Sequence, residues 1–158
     1  MSQQPEWFDE IALPALLRHA RTTYGAAMRR ALVDAGYDDI PRNGLYVIGG
    51  LATGAGDAPL GELVRDLRVS KQAAGQLVDT LVLRGYVERK ADGDDRRKLT
   101  VTLTERGQAA ATVQAAARAA IDAKLAAKVG KDDVSRTRRT LAVLAGIGRG
   151  DGTRDTDD

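Results

Sequence analysis

The sequence predicts a mainly α-helical fold with one small β-hairpin. Three observations lead there. Apolar residues recur at three-and-four spacing through most of the chain, glycines follow the ends of those patterns, and one stretch, residues 99–103, alternates strictly as Leu-Thr-Val-Thr-Leu. The 158 residues, 43% apolar and 29% charged, suffice for one domain with a real core, or for one domain with an appended helical part.

Taken in order, Leu13, Leu16, Leu17, Ala20, Tyr24, Ala27, Met28 and Ala31 lie on one face of a first helix, with Gly36 as its C-cap. Pro14 confines the continuous helix to the residues after it. Pro41 is expected to open a second helix with Leu45, Ile48 and Leu51 or Ala52 inward, where Gly44, Gly49 and Gly50 permit close packing. Residues 53–59 read as a loop. Pro59, preceded by Asp57 or Ala58, then stands at the first position of a short helix whose face is Leu60, Leu63, Val64 and Leu67. After a three-residue turn, Ser70 is the N-cap of another helix, with Ala74, Leu77, Val78 and Leu81 inward and Gly85 closing it. Two short amphipathic helices so joined form a helix-turn-helix, whose second helix is free to enter a DNA major groove.

On that helix the exposed side near the N-terminus offers Lys71, Gln72, Gly75 and Gln76 to base edges and the Ala73 methyl to thymine. Ser70 can also donate to phosphate. Asp79, farther along, would repel phosphate, so it is expected either outside the contact or paired with a nearby base.

Residues 86–90 form a first strand, 91–96 carry the Gly and Asp of a loop, and 97–104 form a second strand with Leu99, Val101 and Leu103 inward. A hairpin directly behind a helix-turn-helix is a wing, and an arginine at its tip suits the negative potential of the minor groove. An acid beside that arginine would hold the guanidinium in one geometry before DNA arrives. Standing alone, so charged a run is more often a solvated hairpin tip; its place behind the helix pair reverses those odds. A calcium loop is excluded, because bases stand where ligands belong and no glutamate closes the loop.

Thr104 is placed to cap a long helix over 105–129, with Val113, Ala116, Ala117, Ala120, Ile121 and Leu125 as its buried stripe. After Gly130 comes a final helix, acidic at its start, with Val134, Leu141, Leu144 and Ala145 inward. Residues 149–158 hold two arginines and four aspartates and read as a disordered tail, without which the net charge rises from +2 to +4. The expected division is 1–40 as an N-terminal helical part, 41–104 as a winged helix-turn-helix, 105–148 as C-terminal helices and 149–158 as tail.

The wing pattern, Asp92, two variable residues, Asp95, Arg96, Arg97 and a strand ending in Leu103-Thr104, resembles that of the MarR family of winged-helix transcriptional regulators. So does the helix end LVLRGYVER at 81–89. The specific motifs span 60–107, and the helix order is similar over 13–146. The resemblance implies that Arg97 is a minor-groove arginine, that Asp95 orients it, and that Arg96 and Lys98 meet phosphates. It further implies that the N- and C-terminal helices dimerise the protein, that the dimer reads a pseudo-palindrome, and that a small-molecule effector binds between the dimer helices and the winged helix. Trp7, Phe8, Tyr24 and Tyr46 are expected to fill core or interface space, with the lining of that cavity as the alternative for Tyr24 or Tyr46.

Composition narrows the function. With no cysteine, disulfides, zinc-thiolate sites and thiol switches are ruled out. The single histidine, His19, is poor support for a metal site. No catalytic triad or nucleotide-binding glycine loop stands out, so no enzyme and no cofactor are expected. No segment approaches the roughly 20 apolar residues of a membrane span, and the first ten residues are acidic where a signal peptide is basic. The expectation is therefore a cytoplasmic, homodimeric regulator binding double-stranded DNA, with a repressor answering to a ligand as the family's habit. The alternative is a winged-helix module that docks a protein partner through its basic wing.

Overall fold

The computed structural model describes residues 6–54, 57–59, 65, 69–91 and 99–150. The chain divides into two compact units, Met1–Arg118 and Ala119–Asp158.

In the first unit, α1 (Leu13–Asp34) carries Pro14 in its first turn, where a missing N–H costs nothing. Its end follows the sequence expectation. Gly36 turns left-handed at φ 86°, its N–H donating to the Val33 carbonyl and that of Tyr37 to the Leu32 carbonyl. Met28 and Leu32 enter the core with Tyr24 half-buried against them, whereas Leu13 and Ala20, expected inward, are exposed. Among the described residues, the C-terminal half of α1 is the part that meets this unit's core.

The second helix begins later than expected. Pro41 does not open it; α2 (Gly44–Thr53) starts three residues on. The Arg29 guanidinium is the reason: it donates to the carbonyls of Ile40 (3.4 Å) and Arg42 (2.6 Å), and the Arg42 carbonyl is one that a helix begun at Pro41 would have used. Leu45, Ile48 and Leu51 are buried as expected, together with Val47, while Ala52 is exposed.

Part of the expected loop is a strand, β1 (Asp57–Pro59). It pairs antiparallel with β3 (Leu99–Leu103), Asp57 opposite Thr102 and Pro59 opposite Thr100. Pro59 thus ends a strand instead of beginning a helix. The order β1-β3-β2 puts it at a sheet edge, where a residue without an N–H is tolerated. Of the expected helix at 60–67 only Arg65 is described, and it is helical; Leu60, Leu63, Val64 and Leu67 lie outside the described residues.

Next, α3 (Lys71–Leu83) buries Ala74, Val78 and Leu81 completely, with Leu77 half-buried. Gly85, at φ 75°, repeats the left-handed ending, and Tyr86 follows with its ring fully buried. β2 (Val87–Ala91) runs back along β3, Val87 opposite Leu103 and Ala91 opposite Leu99, and Val101 packs beneath the sheet.

The long helix α4 (Glu105–Val129) is capped as expected by Thr104, whose hydroxyl accepts from the Gly107 N–H at 3.1 Å and donates to the Gly85 carbonyl. Its buried stripe is a different one. Gly107, Ala110, Ala111 and Gln114 face the core; Val113, Ala117 and Ile121 are half-buried, and Ala116, Ala120 and Leu125 are exposed. Gly107 sets this phase, for a Cβ there would stand 1.9 Å from the Tyr86 carbonyl oxygen. The helix therefore rests on Gly107 and on the residues three, four and seven places beyond it.

In the second unit, the C-terminal end of α4 turns at Gly130 into α5 (Lys131–Gly150), and Arg138 pairs with Asp122 at 3.4 Å. Val134 is half-buried. Leu141, Leu144 and Ala145, expected inward, are exposed, as are Val143 and Ile147, because a helix pair alone has no further layer to cover them. No described helix is long and apolar enough to cross a membrane.

Candidate nucleic-acid interface

At 100° per residue, burial of Ala74, Val78 and Leu81 turns Gln72 and Gln76 away from the core. Lys71, Gln72, Ala73 and Gln76 are exposed and Gly75 is half-buried, so the side chains singled out in the sequence share the accessible side of the first two turns. Ser70 is extended (φ −60°, ψ 152°), and its hydroxyl oxygen accepts from the Ala73 N–H at 3.1 Å, leaving the hydroxyl hydrogen to donate elsewhere. Asp79 takes the second of the two courses set out for it. It pairs with Arg89 of β2 at 2.5 Å, which neutralises the acid and ties the helix to the base of the hairpin.

The hairpin tip, with Asp92, Asp95, Arg96, Arg97 and Lys98, lies outside the described residues; β2 ends at Ala91 just before it and β3 resumes at Leu99.

One cluster escaped the sequence reading. Where α3 passes into β2, the Tyr86 hydroxyl donates to Asp39, in the connection between α1 and α2. Arg106 of α4 lies over the Tyr86 ring, 4.3 Å from its centre, and reaches both Asp39 oxygens at 3.1 and 3.3 Å and the Arg84 carbonyl at 2.5 Å. Arg84 itself donates to the Asp39 carbonyl. The Tyr86 hydrogen bond, together with the Arg106 charge, holds the Asp39 carboxyl below its usual pKa against the opposing effect of burial. Burial, and then the bond to Asp39, push the Tyr86 phenol well above its usual value. No local pattern signals partners 47 and 67 positions apart.

Two clefts adjoin these elements. A wide one of about 890 Å³ lies between α1 and α2, lined by Arg18, Arg21, Arg29, Arg42 and Tyr46 among others, with the Arg21 guanidinium 4.5 Å above the Tyr46 ring. Tyr24 does not line it. A smaller one of about 310 Å³ separates residues 41–43 from Ala73, Gln76, Leu77 and Thr80 of α3. Among the described residues no group of three or more His, Cys, Asp or Glu side chains is placed to hold a metal.

A helix with an accessible N-terminal side, backed by a hairpin and a three-stranded sheet, is a winged helix. Residues 38–98, which include α3 and β2, match the model of the MarR family, and the solved structures of similar fold include MarR-family transcriptional regulators. FabT of Streptococcus pneumoniae in complex with DNA is 17% identical over 87% of this chain and 96% of that one, with a TM-score of 0.72. A mutant MarR of Escherichia coli complexed with operator DNA is 22% identical over 89% of this chain and 99% of that one, TM-score 0.66. A MarR transcriptional regulator of Methanosarcina mazei is 20% identical over 92% of this chain and 99% of that one, TM-score 0.69. No curated protein shows significant sequence similarity to the chain.

Proposed function

We propose that the protein is a homodimeric, sequence-specific DNA-binding regulator of transcription, a cytoplasmic non-enzyme acting as a ligand-responsive repressor. The observation that carries this reading is the accessible, uncharged-to-basic side of α3, Ser70 to Gln76, backed by a hairpin whose tip sequence is Asp95-Arg96-Arg97-Lys98. Lys71, Gln72, Ala73, Gly75 and Gln76 read base edges, with glutamine suited to adenine and lysine to guanine. Ser70, Arg96 and Lys98 hold phosphates, and Arg97, oriented by Asp95, enters the minor groove.

Dimerisation is supported by the exposed apolar residues of the terminal helices, Leu13 of α1 and Leu141, Leu144 and Ile147 of α5. A two-fold dimer presents two copies of α3 to half-sites one helical turn apart, roughly 34 Å. An effector would occupy the cleft beside Tyr46, and it weakens DNA binding only by preferring the DNA-incompetent arrangement.

Binding of wild type and Arg97→Ala to duplex DNA selected from a random library, measured across salt with excess competitor, tests the reading. Competitor-resistant, salt-steep binding that weakens in the variant supports it. Equal, salt-insensitive behaviour of the two proteins would instead favour a protein-docking module.

A further inference from the structure

On the DNA-binding reading, on which this proposal rests, the side of α3 away from the hairpin also matters. The helix has neighbours on both long flanks. On one, Arg89 of β2 is held by Asp79. On the other, residues 41–43 face Ala73, Gln76 and Thr80 across the smaller cleft. Gln72 and Gln76 project between the two.

The turn at 41–43 has a fixed backbone. The Pro41 ring restricts φ, its carbonyl accepts from the Gly44 N–H at 2.8 Å, and the Arg29 guanidinium holds the Ile40 and Arg42 carbonyls. From that base the Arg42 and Asn43 side chains reach the cleft beside α3, both residues exposed. Asn43 is the N-cap residue of α2, yet its side chain makes no capping bond, so the carboxamide is not committed there. Among the described residues no acid lines the cleft.

The geometry points to Arg42 and Asn43 as a phosphate-binding turn that grips the DNA backbone on the flank of α3 opposite the wing. A helix about 10–12 Å across nearly fills a major groove about 12 Å wide. Groups on its two flanks then meet the two bordering phosphate backbones. The wing serves one border, and the turn at 41–43 brings a cation to the other. Phosphate contacts carry no sequence information; they fix the register in which Gln72 and Gln76 meet the bases.

The test uses the full chain with Arg42→Ala, Arg42→Lys and Asn43→Ala. The probes are a mixed-sequence duplex of about three helical turns and a duplex of equal length selected by the wild type. Affinity is followed by fluorescence anisotropy across salt. Arg42→Ala is expected to weaken binding to both duplexes by a similar factor, roughly tenfold. The salt slope should fall by about 0.9 for each phosphate no longer neutralised, and Arg42→Lys should restore most of both. Asn43→Ala should weaken both duplexes without altering the slope. An unchanged slope and affinity in Arg42→Ala, or a loss confined to the selected duplex, overturns the inference while leaving DNA binding intact. A wild type without salt-steep binding to either duplex removes the DNA-binding reading and the phosphate-binding turn with it. Should Arg42→Ala lower the unfolding midpoint, Arg42→Gln, which keeps the stem and removes the charge, is held to the same outcomes.

Discussion

Tyr86, its ring fully buried, donates its hydroxyl hydrogen to Asp39 across 47 positions of sequence, at the point where α3 gives way to β2. That bond fastens the connection between α1 and α2 to the junction of α3 and β2, and Arg106 closes the arrangement from α4. Tyr86→Phe removes the bond and keeps the ring. A hydrogen bond to a charged group contributes about 1.5–3 kcal/mol, but the Asp39 side chain is 37% exposed and keeps Arg106. Solvent screening brings the expected loss to about 1 kcal/mol, read from urea unfolding.

The same pair makes stability depend on pH at both extremes. The Asp39 carboxyl is lowered in the folded protein, so its contribution is complete above about pH 4 and is lost as pH falls through the folded value. Asp39→Asn should therefore flatten the acid limb of a stability-against-pH curve. The Tyr86 phenol is raised, so its contribution is complete below about pH 10 and disappears as pH rises through the folded value. Tyr86→Phe should flatten the alkaline limb, and an unaltered limb in either variant would contradict the assignment.

Gly107 and Gly50 should respond to alanine in opposite directions. At Gly107 the new Cβ would meet the Tyr86 carbonyl oxygen at 1.9 Å, and a backbone atom cannot swing aside. The cost is expected at about 3 kcal/mol or more, with α4 displaced from the junction of α3 and β2. Gly50 is exposed within α2, and among the described residues nothing lies within 4 Å of the added methyl, so Gly50→Ala should gain about 1 kcal/mol of helix propensity. Thermal midpoints of the two variants relative to wild type decide both.

Ser70→Ala should destabilise the protein by about 1 kcal/mol, because the Ala73 N–H loses its cap at the helix end nearest the proposed DNA contact. Amide hydrogen exchange localises the effect: Ala73 and Ala74, whose N–H groups bond to Ser70, should lose protection while α1 and α4 keep theirs.

Gln114 is fully buried, and among the described residues neither its carboxamide oxygen nor its nitrogen has a hydrogen-bond partner. Exchanging an unsatisfied buried amide for an apolar side chain of similar length removes a desolvation penalty of about 1–3 kcal/mol. Gln114→Met is expected to raise the unfolding midpoint, and a fall would reveal a hydrogen bond made through water.

The features legible in the sequence arise between near neighbours. Schellman endings at Gly36 and Gly85, the Ser70 and Thr104 caps, the core face Ala74, Val78 and Leu81, and the alternation of β3 each depend on residues no more than a few places apart. Periodicity also brings Lys71, Gln72 and Gln76 to one side of α3 as soon as the core face is known. It does not reveal Arg42 as a neighbour of that helix, because the turn and α3 meet only after the chain folds back.

Short-range sterics and hydrogen bonds make the mainly α chain, the hairpin, the glycine endings of α1 and α3, the Ser70 and Thr104 caps and the inward face of α3 legible from the sequence. Tertiary structure alone decided the rest. It chose the buried stripe of α4 through the close approach of Gly107 to Tyr86, delayed α2 by engaging the Arg42 carbonyl with Arg29, and made residues 57–59 an edge strand by supplying β3 as partner. It also joined Asp39, Tyr86 and Arg106. Each of these depends on a partner brought from far along the chain, and local periodicity carries no information about such meetings.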